Sequence, residues 1–188
     1  MKIAILGWGS LIWQPKDLKF DANIGWKEKG PILPIEFARI SKDGRLTLVI
    51  TPNGTEVPTL YSVSSVDSLD LAVLNLAVRE GSGRKSIGYY DKSKDEFSPI
   101  EFSFKEHIKN WIQTTDFAAV IWTNLPENWE IRNQEKVVVK TIDPNNRIEY
   151  LQNLKGSESA LAEEYIRNTP KQIATTYRKQ IITTLGWE

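Results

Sequence analysis

Two separated patches of this 188-residue chain carry residue types that could do chemistry. The first is Gly7-Trp8-Gly9-Ser10-Leu11, which follows a short apolar run at residues 3–6. Glycines at alternate positions let the main chain turn tightly and let a ligand approach it closely. Consecutive backbone N–H groups in such a turn make a concavity suited to an anion. The second patch is Glu80, between Arg79 and Gly81, at the C-terminal end of what reads as a helix. The negative end of the macrodipole opposes a carboxylate there by about 0.3–1 kcal/mol when it is exposed, and by more when it is buried. A glutamate kept in such a place has the chemistry of a general base that afterwards returns the proton. Each patch also has an ordinary reading: a strand that ends in a turn, and a solvated glutamate screened by Arg79. A dinucleotide fingerprint is excluded. Ile12 stands where its third glycine belongs, and Trp13 and Pro15 follow where its helix should open.

Composition removes several function classes. Lys plus Arg and Asp plus Glu number 24 each, for a formal net charge of zero. No field directs the chain to nucleic acid or to an anionic membrane, and neither is expected as a partner. There is no cysteine, which excludes disulfides, thiol nucleophiles and thiolate metal sites. The single histidine, His107, rules out a multi-histidine metal centre and leaves a Ser-His-Asp triad dependent on one residue in a polar stretch, where it reads as a solvated helix position. No apolar run is long enough to span a bilayer. The N-terminal run is broken by Gly7 and Gly9 before it can serve as a signal peptide. The reading is a soluble cytoplasmic protein, with a length that fits one domain, 1–188.

The elements that must position the two patches follow from periodicity and turn chemistry. Residues 14–33, with Pro15, Gly25, Gly30 and Pro31, read as an irregular excursion. Residues 34–41 and 45–50 read as strands joined by Asp43-Gly44, a hairpin signal. Ile35, Phe37 and Arg39 share one face of this strand, and Glu36, Ala38 and Ile40 the other. A charge therefore lands among apolar residues on either face, so Glu36 and Arg39 are paired with something, or lie at a rim, or belong to a site. Residues 57–63 are a third strand. Residues 65–80 are the clearest helix, with Ser65 as cap, Leu69, Val73, Leu76 and Ala77 as its apolar stripe, and Gly81 as its stop.

Strands follow at 87–91 and 100–104 around a charged turn at 92–96, then a short helix at 106–113. The continuous apolar run at 117–123 suits a central strand, and 136–142 alternates as another. Asp143-Pro144 opens a helix to about residue 154. Helices at 157–168 and 169–185 complete a helical C-terminal part, 143–188. The last begins at Thr169-Pro170-Lys171-Gln172, a capping box, and ends at Gly186. Strands first and helices gathered late indicate an α+β fold with a small mixed or closed sheet.

With both patches placed, the chain resembles the γ-glutamyl cyclotransferase-like superfamily, and its ChaC-type branch in particular. Gly7-Trp8-Gly9-Ser10-Leu11-Ile12-Trp13 is similar to that branch's Gly-Tyr-Gly-Ser-Leu-Ile-Trp loop, with Trp8 in place of the tyrosine. Arg79-Glu80-Gly81, followed by Lys85-Ser86-Ile87-Gly88-Tyr89, resembles the segment around the family's catalytic glutamate. Gly44-Arg45-Leu46-Thr47-Leu48-Val49 resembles a ChaC-type strand, and Arg39 stands where that branch carries arginine. The resemblance covers about the first 125 residues in order, and the remainder has no counterpart in the well-known enzymes.

The resemblance implies a barrel-like mixed sheet flanked by helices, with a pocket at one end. It implies a metal-independent enzyme that needs no cofactor and cyclises a γ-glutamyl amine, amide or peptide to 5-oxoproline and a free amine. Glu80 is then the general acid/base. Gly7, Trp8, Gly9, Ser10 and Leu11 hold the glutamyl carboxylate or carbonyl, Tyr89 and Tyr90 orient substrate or Glu80, and Arg39 and Arg45 pair with a carboxylate. Glutathione degradation, as in the ChaC branch, is the narrower version. Trp8 changes what the loop offers, because an indole N–H donates and cannot accept. The other class of reading is a non-catalytic member that binds a small ligand or a protein partner in the same pocket. The oligomeric state and the leaving amine are not written in the sequence.

Overall fold

The computed structural model describes residues 1–188. In chain order its strands and helices are β1 (Ile3–Gly7), β2 (Ile32–Ile40), β3 (Leu46–Ile50), β4 (Thr55–Pro58), β5 (Leu60–Val63), α1 (Leu69–Arg79), β6 (Ile87–Asp91), β7 (Glu96–Ser98), α2 (Lys105–Gln113), β8 (Ala119–Thr123), β9 (Glu130–Arg132), β10 (Val138–Thr141), α3 (Arg147–Asn153), α4 (Gly156–Asn168) and α5 (Thr176–Leu185). They gather into two compact units, each built from two stretches of chain. One comprises Met1–Leu33 and Pro58–Leu125, the other Pro34–Val57 and Pro126–Glu188. The class is α+β. Its three sheets have five, three and two strands, and none closes on itself. No helix is long and apolar enough to cross a membrane.

The first unit is organised on a mixed sheet of order β5-β1-β8-β6-β7. β1 runs antiparallel to β5 and parallel to β8, and β6 runs antiparallel to both β8 and β7. β8 is central, as its unbroken apolar run requires of a strand covered on both faces. Alternation assigns the faces. Ile3, Ile5, Ile87, Ala119 and Ile121 point to α1 and pack with its Ala72, Val73, Leu76 and Ala77. The opposite face carries aromatic rings: Tyr90 stacks on Phe97 at 4.3 Å, and Phe102 lies 4.8 Å from Trp122. Gly88 is obligatory there, since a Cβ on it would stand 2.2 Å from the Trp122 ring. The excursion after β1 has almost no regular structure yet is firmly tied. Lys27 and Tyr61 exchange backbone bonds, Asp21 N–H donates to Val63 O, and the Asn75 side chain bonds the backbone of Asp17 and Lys19.

The second unit holds the sheet β3-β2-β4, the ribbon β9–β10 and helices α3 to α5. The charge conflict in β2 is resolved here. Glu36 is 2% exposed, and its carboxylate accepts from Phe37 N, Thr55 Oγ1, Thr175 Oγ1 and Tyr177 N. Thr175 is the N-cap of α5. The buried carboxylate therefore sits at a helix N-terminus, the position that favours negative charge.

Four expectations about elements need correction. Helix α1 starts at Leu69, with Ser68 as N-cap; Ser64 and Ser65 instead continue the sheet edge, their N–H groups on Ile3 O and Lys19 O, and the Ser64 hydroxyl turns onto Val66. The strand at 57–63 is two strands, broken at Thr59, whose N–H and hydroxyl both turn to Pro31 O. No strand forms at 100–104. Pro99 has no N–H for a ladder, Phe102 N–H closes a turn on Pro99 O, and the strand after the charged turn is β7. The capping box at Thr169 does not form: the Thr169 hydroxyl donates back to Tyr165 O, and the chain after it closes only one turn, Ile173 N–H on Pro170 O. Helix α5 starts later, at Thr176, with the Arg178 guanidinium bonding the carbonyls of Thr169, Pro170 and Ile173.

Candidate functional site

β1 delivers the chain into the Gly7–Ser10 loop at the edge of the α1 layer. Ile12 N–H donates to Gly9 O at 3.0 Å and Gln14 N–H to Ser10 O at 2.8 Å, so the loop curls onto its own carbonyls. The N–H groups of Gly9, Ser10 and Leu11 have no protein acceptor. That is the donor arrangement of an anion-binding turn. Gly7 has to be glycine: a Cβ on it would stand 2.7 Å from the Trp26 ring, which the excursion lays across it. Leu11 is buried in the cluster under α1, so its side chain anchors the loop. Trp8 is likewise buried, at 5% exposure.

The end of α1 fixes the other patch. Gly81 takes the left-handed conformation, with φ of +59°. Its N–H bonds Val78 O, and Ser82 N–H bonds Ala77 O. This pair of bonds is the Schellman closure, which leaves Glu80 as the C-cap with a fixed backbone, φ −76° and ψ −7°. A flexible terminus would spread the carboxylate over many positions. This closure holds it to a few.

Loop and helix end meet through Arg79. Its Nη1 donates to Glu80 Oε1 at 2.6 Å, and its Nη2 donates to Ser10 Oγ at 3.3 Å and to Gln14 O at 2.7 Å. The two side chains of the ion pair are only 6% and 15% exposed, where charge interactions are screened much less than at the surface. Glu80 is therefore not a freely solvated residue. Around this junction the polar chemistry is unfinished. Of the four buried side-chain polar atoms that lack a partner, three belong to this unit: Arg79 Nε, Ser82 Oγ and Trp26 Nε1. Buried donors are normally satisfied, and each exception calls for a reason.

The chain matches no family model, no curated protein and no solved structure. Any function has to be argued from this geometry.

The remaining residues singled out in the sequence fall in different places. Tyr89 is on the α1 face of β6, packed against its core, and its hydroxyl donates to Glu96 at 2.8 Å, a bond that raises the phenol above its ordinary value. Tyr90 points to the opposite face. Burial, and then its bond to Asp95, push its phenol up to about 12. Arg39 and Arg45 belong to the second unit. Arg39 donates to Pro126 O at 2.7 Å, and Arg45 pairs with Asp43 at 2.6 Å beside the hairpin turn. Both arginines thus have structural employment in their own unit.

Sequence reasoning treated Arg79 as a screening charge and passed over Trp26 and Ser82. Position beside Glu80 was the only signal for Arg79, and for the other two there was none. A cavity of about 420 Å³, with Lys2, Lys27, Tyr61 and Phe117 in its wall, lies at the start of β1. Gly7 is at the other end of that strand, roughly 13 Å away at 3.3 Å per residue, so the cavity is not part of the junction.

Proposed function

We propose that this chain is a γ-glutamyl cyclotransferase-type enzyme that converts a small γ-glutamyl amine, amide or peptide into 5-oxoproline and a free amine. The observation that carries the reading is the single guanidinium shared by Ser10 and Glu80, residues on motifs about seventy positions apart. The resemblance of both motifs to that superfamily supports the same reaction, and with it the finer, barrel-like family fold.

In this reading the free N–H groups of Gly9, Ser10 and Leu11 hold the glutamyl carboxylate or carbonyl. The substrate's α-amine attacks its own γ-carbonyl carbon, forming the ring C–N bond. Glu80 takes the proton that the amine loses and returns it to the leaving nitrogen as the original amide bond breaks. Ring closure is intramolecular, so holding the glutamyl chain folded supplies much of the acceleration. The proton transfers contribute a further factor of roughly 10²–10⁴.

A second reading has its own support. Glu80 is engaged by Arg79 and Trp8 is buried, which also suits a member that binds a γ-glutamyl ligand without turning it over.

Release of 5-oxoproline, followed by mass spectrometry across γ-glutamyl dipeptides, γ-glutamyl amines and glutathione, decides between them. Turnover that vanishes in Glu80→Gln establishes the reaction and its base together. Thermal stabilisation by the same compounds without product favours the binder. Turnover that survives in Glu80→Gln removes Glu80 from the mechanism.

A further inference from the structure

We infer that the cavity at the start of β1 is a second small-molecule site, one that takes a small organic anion with a flat apolar body, an arylcarboxylate by chemical class. Its volume of about 420 Å³ falls within the roughly 300–1,000 Å³ of ordinary ligand sites. Every residue of its wall belongs to the first unit. It opens on the sheet face opposite α1: Tyr61 pairs with Leu6 and Val63 with Ala4, residues that alternate with the α1-facing Ile3 and Ile5. The junction of Ser10 and Glu80 belongs to the α1 layer, so the two places are distinct.

Two donors stand side by side in this wall. Lys27 and Tyr61 form an antiparallel bridge, with Lys27 N–H on Tyr61 O at 2.7 Å and Tyr61 N–H on Lys27 O at 2.9 Å. Directly opposed residues send their side chains to the same face, with Cβ atoms about 4.5–5.5 Å apart. The Lys27 ammonium meets no carboxylate of the protein, and the Tyr61 hydroxyl meets no partner. One oxyanion can accept from both, whereas the ammonium repels a cation. The other lysine of the wall is already neutralised. Lys2 Nζ donates to both oxygens of Asp116, at 2.8 and 2.7 Å, and lies 5.0 Å from the centre of the Phe117 ring. The charge left over is that of Lys27, which selects a monoanion.

The apolar part of the wall sets the body of the ligand. The Tyr61 ring is held edge-on by Trp111 at 5.3 Å and by Phe117 at 5.7 Å, and Ile24 and Val63 stand beside it. A flat ring gains edge-to-face and offset contacts here beyond its area burial, which an aliphatic chain does not. The site is also preformed. Trp111 Nε1 donates to Lys29 O at 2.9 Å, so the ring cluster and the segment that carries Lys27 are tied together.

Amide NMR of the whole chain tests this without reference to any activity, with benzoate and 3-phenylpropionate as probes and benzamide and inorganic phosphate as controls. Both arylcarboxylates should shift the amides of Lys27, Tyr61, Val63 and Phe117 with a Kd of about 1 mM or tighter, leaving those of Gly9, Ser10 and Leu11 in place. Benzamide lacks the charge and phosphate lacks the ring, so each should bind about tenfold more weakly or worse. Lys27→Ala should weaken benzoate by about tenfold or more and Lys27→Arg should retain it, while Tyr61→Phe should weaken it by about two- to tenfold. The Lys27 side chain is exposed, so its replacement leaves the fold intact. Cavity amides that stay still well above that concentration overturn the inference. So does an affinity for benzoate that Lys27→Ala leaves unchanged, or one that benzamide equals. Shifts confined to Gly9, Ser10 and Leu11 would assign the anion to the loop and overturn it as well.

Discussion

Two glutamates, Glu36 among apolar neighbours on a strand and Glu80 between Arg79 and Gly81 at a helix end, end in different circumstances. Glu36, in the second unit, is 2% exposed and receives four hydrogen bonds from neutral donors, with no ion pair. Its own oxygens are satisfied and dock the N-terminus of α5, where Arg178 Nε is the one buried side-chain atom of this unit without a partner. Glu80, in the first unit, gives one oxygen to Arg79 and has no protein donor on the other. The Nε of its partner Arg79 is buried without an acceptor, and the loop that Arg79 also bonds presents free N–H groups. A buried charge is therefore not a sign of function in itself. Hydrogen bonding left open around a charge says more than burial, because a ligand can complete it.

Substituting the two glutamates in parallel tests this contrast most severely. Glu80→Gln should lower kcat for 5-oxoproline release per folded molecule by roughly 10²–10⁴, and it also lowers the urea midpoint, because it leaves the buried Arg79 guanidinium without its carboxylate. If instead the protein unfolds and the folded fraction stays active, the contrast is reversed. Arg79→Met should come next. It frees Glu80 from the loop and should cost on the order of 10² in kcat, the scale of a catalytic group misplaced by about 1 Å. Arg79→Lys should recover only part of this, because an ammonium cannot reproduce the planar fork that reaches Glu80, Ser10 and Gln14 together. A kcat equal to wild type in Arg79→Met would leave the guanidinium a purely structural brace.

Glu36→Gln should affect stability alone. An amide NH₂ set among donors loses acceptors for the Thr and backbone groups, at about 1–3 kcal/mol of stability, read from urea unfolding, with kcat per folded molecule unchanged. The smallest effect separates the units by pH. Tyr90 of the first unit and Tyr150 of the second are both pushed up to about 12, in each case chiefly by burial. The folded chain holds their protons more tightly than the unfolded chain, whose phenols titrate near 10. Their contribution to stability is therefore complete below pH about 10 and is lost as pH rises towards about 12. Following tyrosinate absorbance, with Tyr90→Phe and Tyr150→Phe as assignments, should show these two phenols ionising last. Phenols that titrate near 10 in the folded protein would show that both are solvated.

Much of the first unit was legible because its signals are local. An unbroken apolar run made β8 central and glycine after Glu80 stopped α1, just as Asp43-Gly44 turned the hairpin of the second unit. Errors arose where a distant group competed for a local one. Ser65 is an acceptable cap, but its backbone is held in the sheet edge by Lys19 O. Thr169-Pro170-Lys171-Gln172 is an acceptable capping box, but the Arg178 guanidinium gathers the carbonyls of Thr169, Pro170 and Ile173, and α5 is capped by Thr175, which also bonds Glu36 on β2. Propensity describes what a segment can do alone. A competing tertiary bond decides what it does.

The same division runs through the candidate site. By itself the sequence determined that the chain has no thiol chemistry, that an α+β fold follows from the order of its elements, and that a glycine loop and a helix-terminal glutamate are its two chemical patches. These depend on composition, periodicity and backbone allowance, which neighbours in sequence settle. Only the tertiary structure decided that the two patches meet through Arg79, that Trp26 lies across Gly7, and that Arg39 and Arg45 are engaged in the other unit. It also decided that Tyr89 and Tyr90 face opposite ways on their sheet. Such pairings depend on which side chains a fold brings within hydrogen-bonding distance of each other, which neighbours in sequence do not settle.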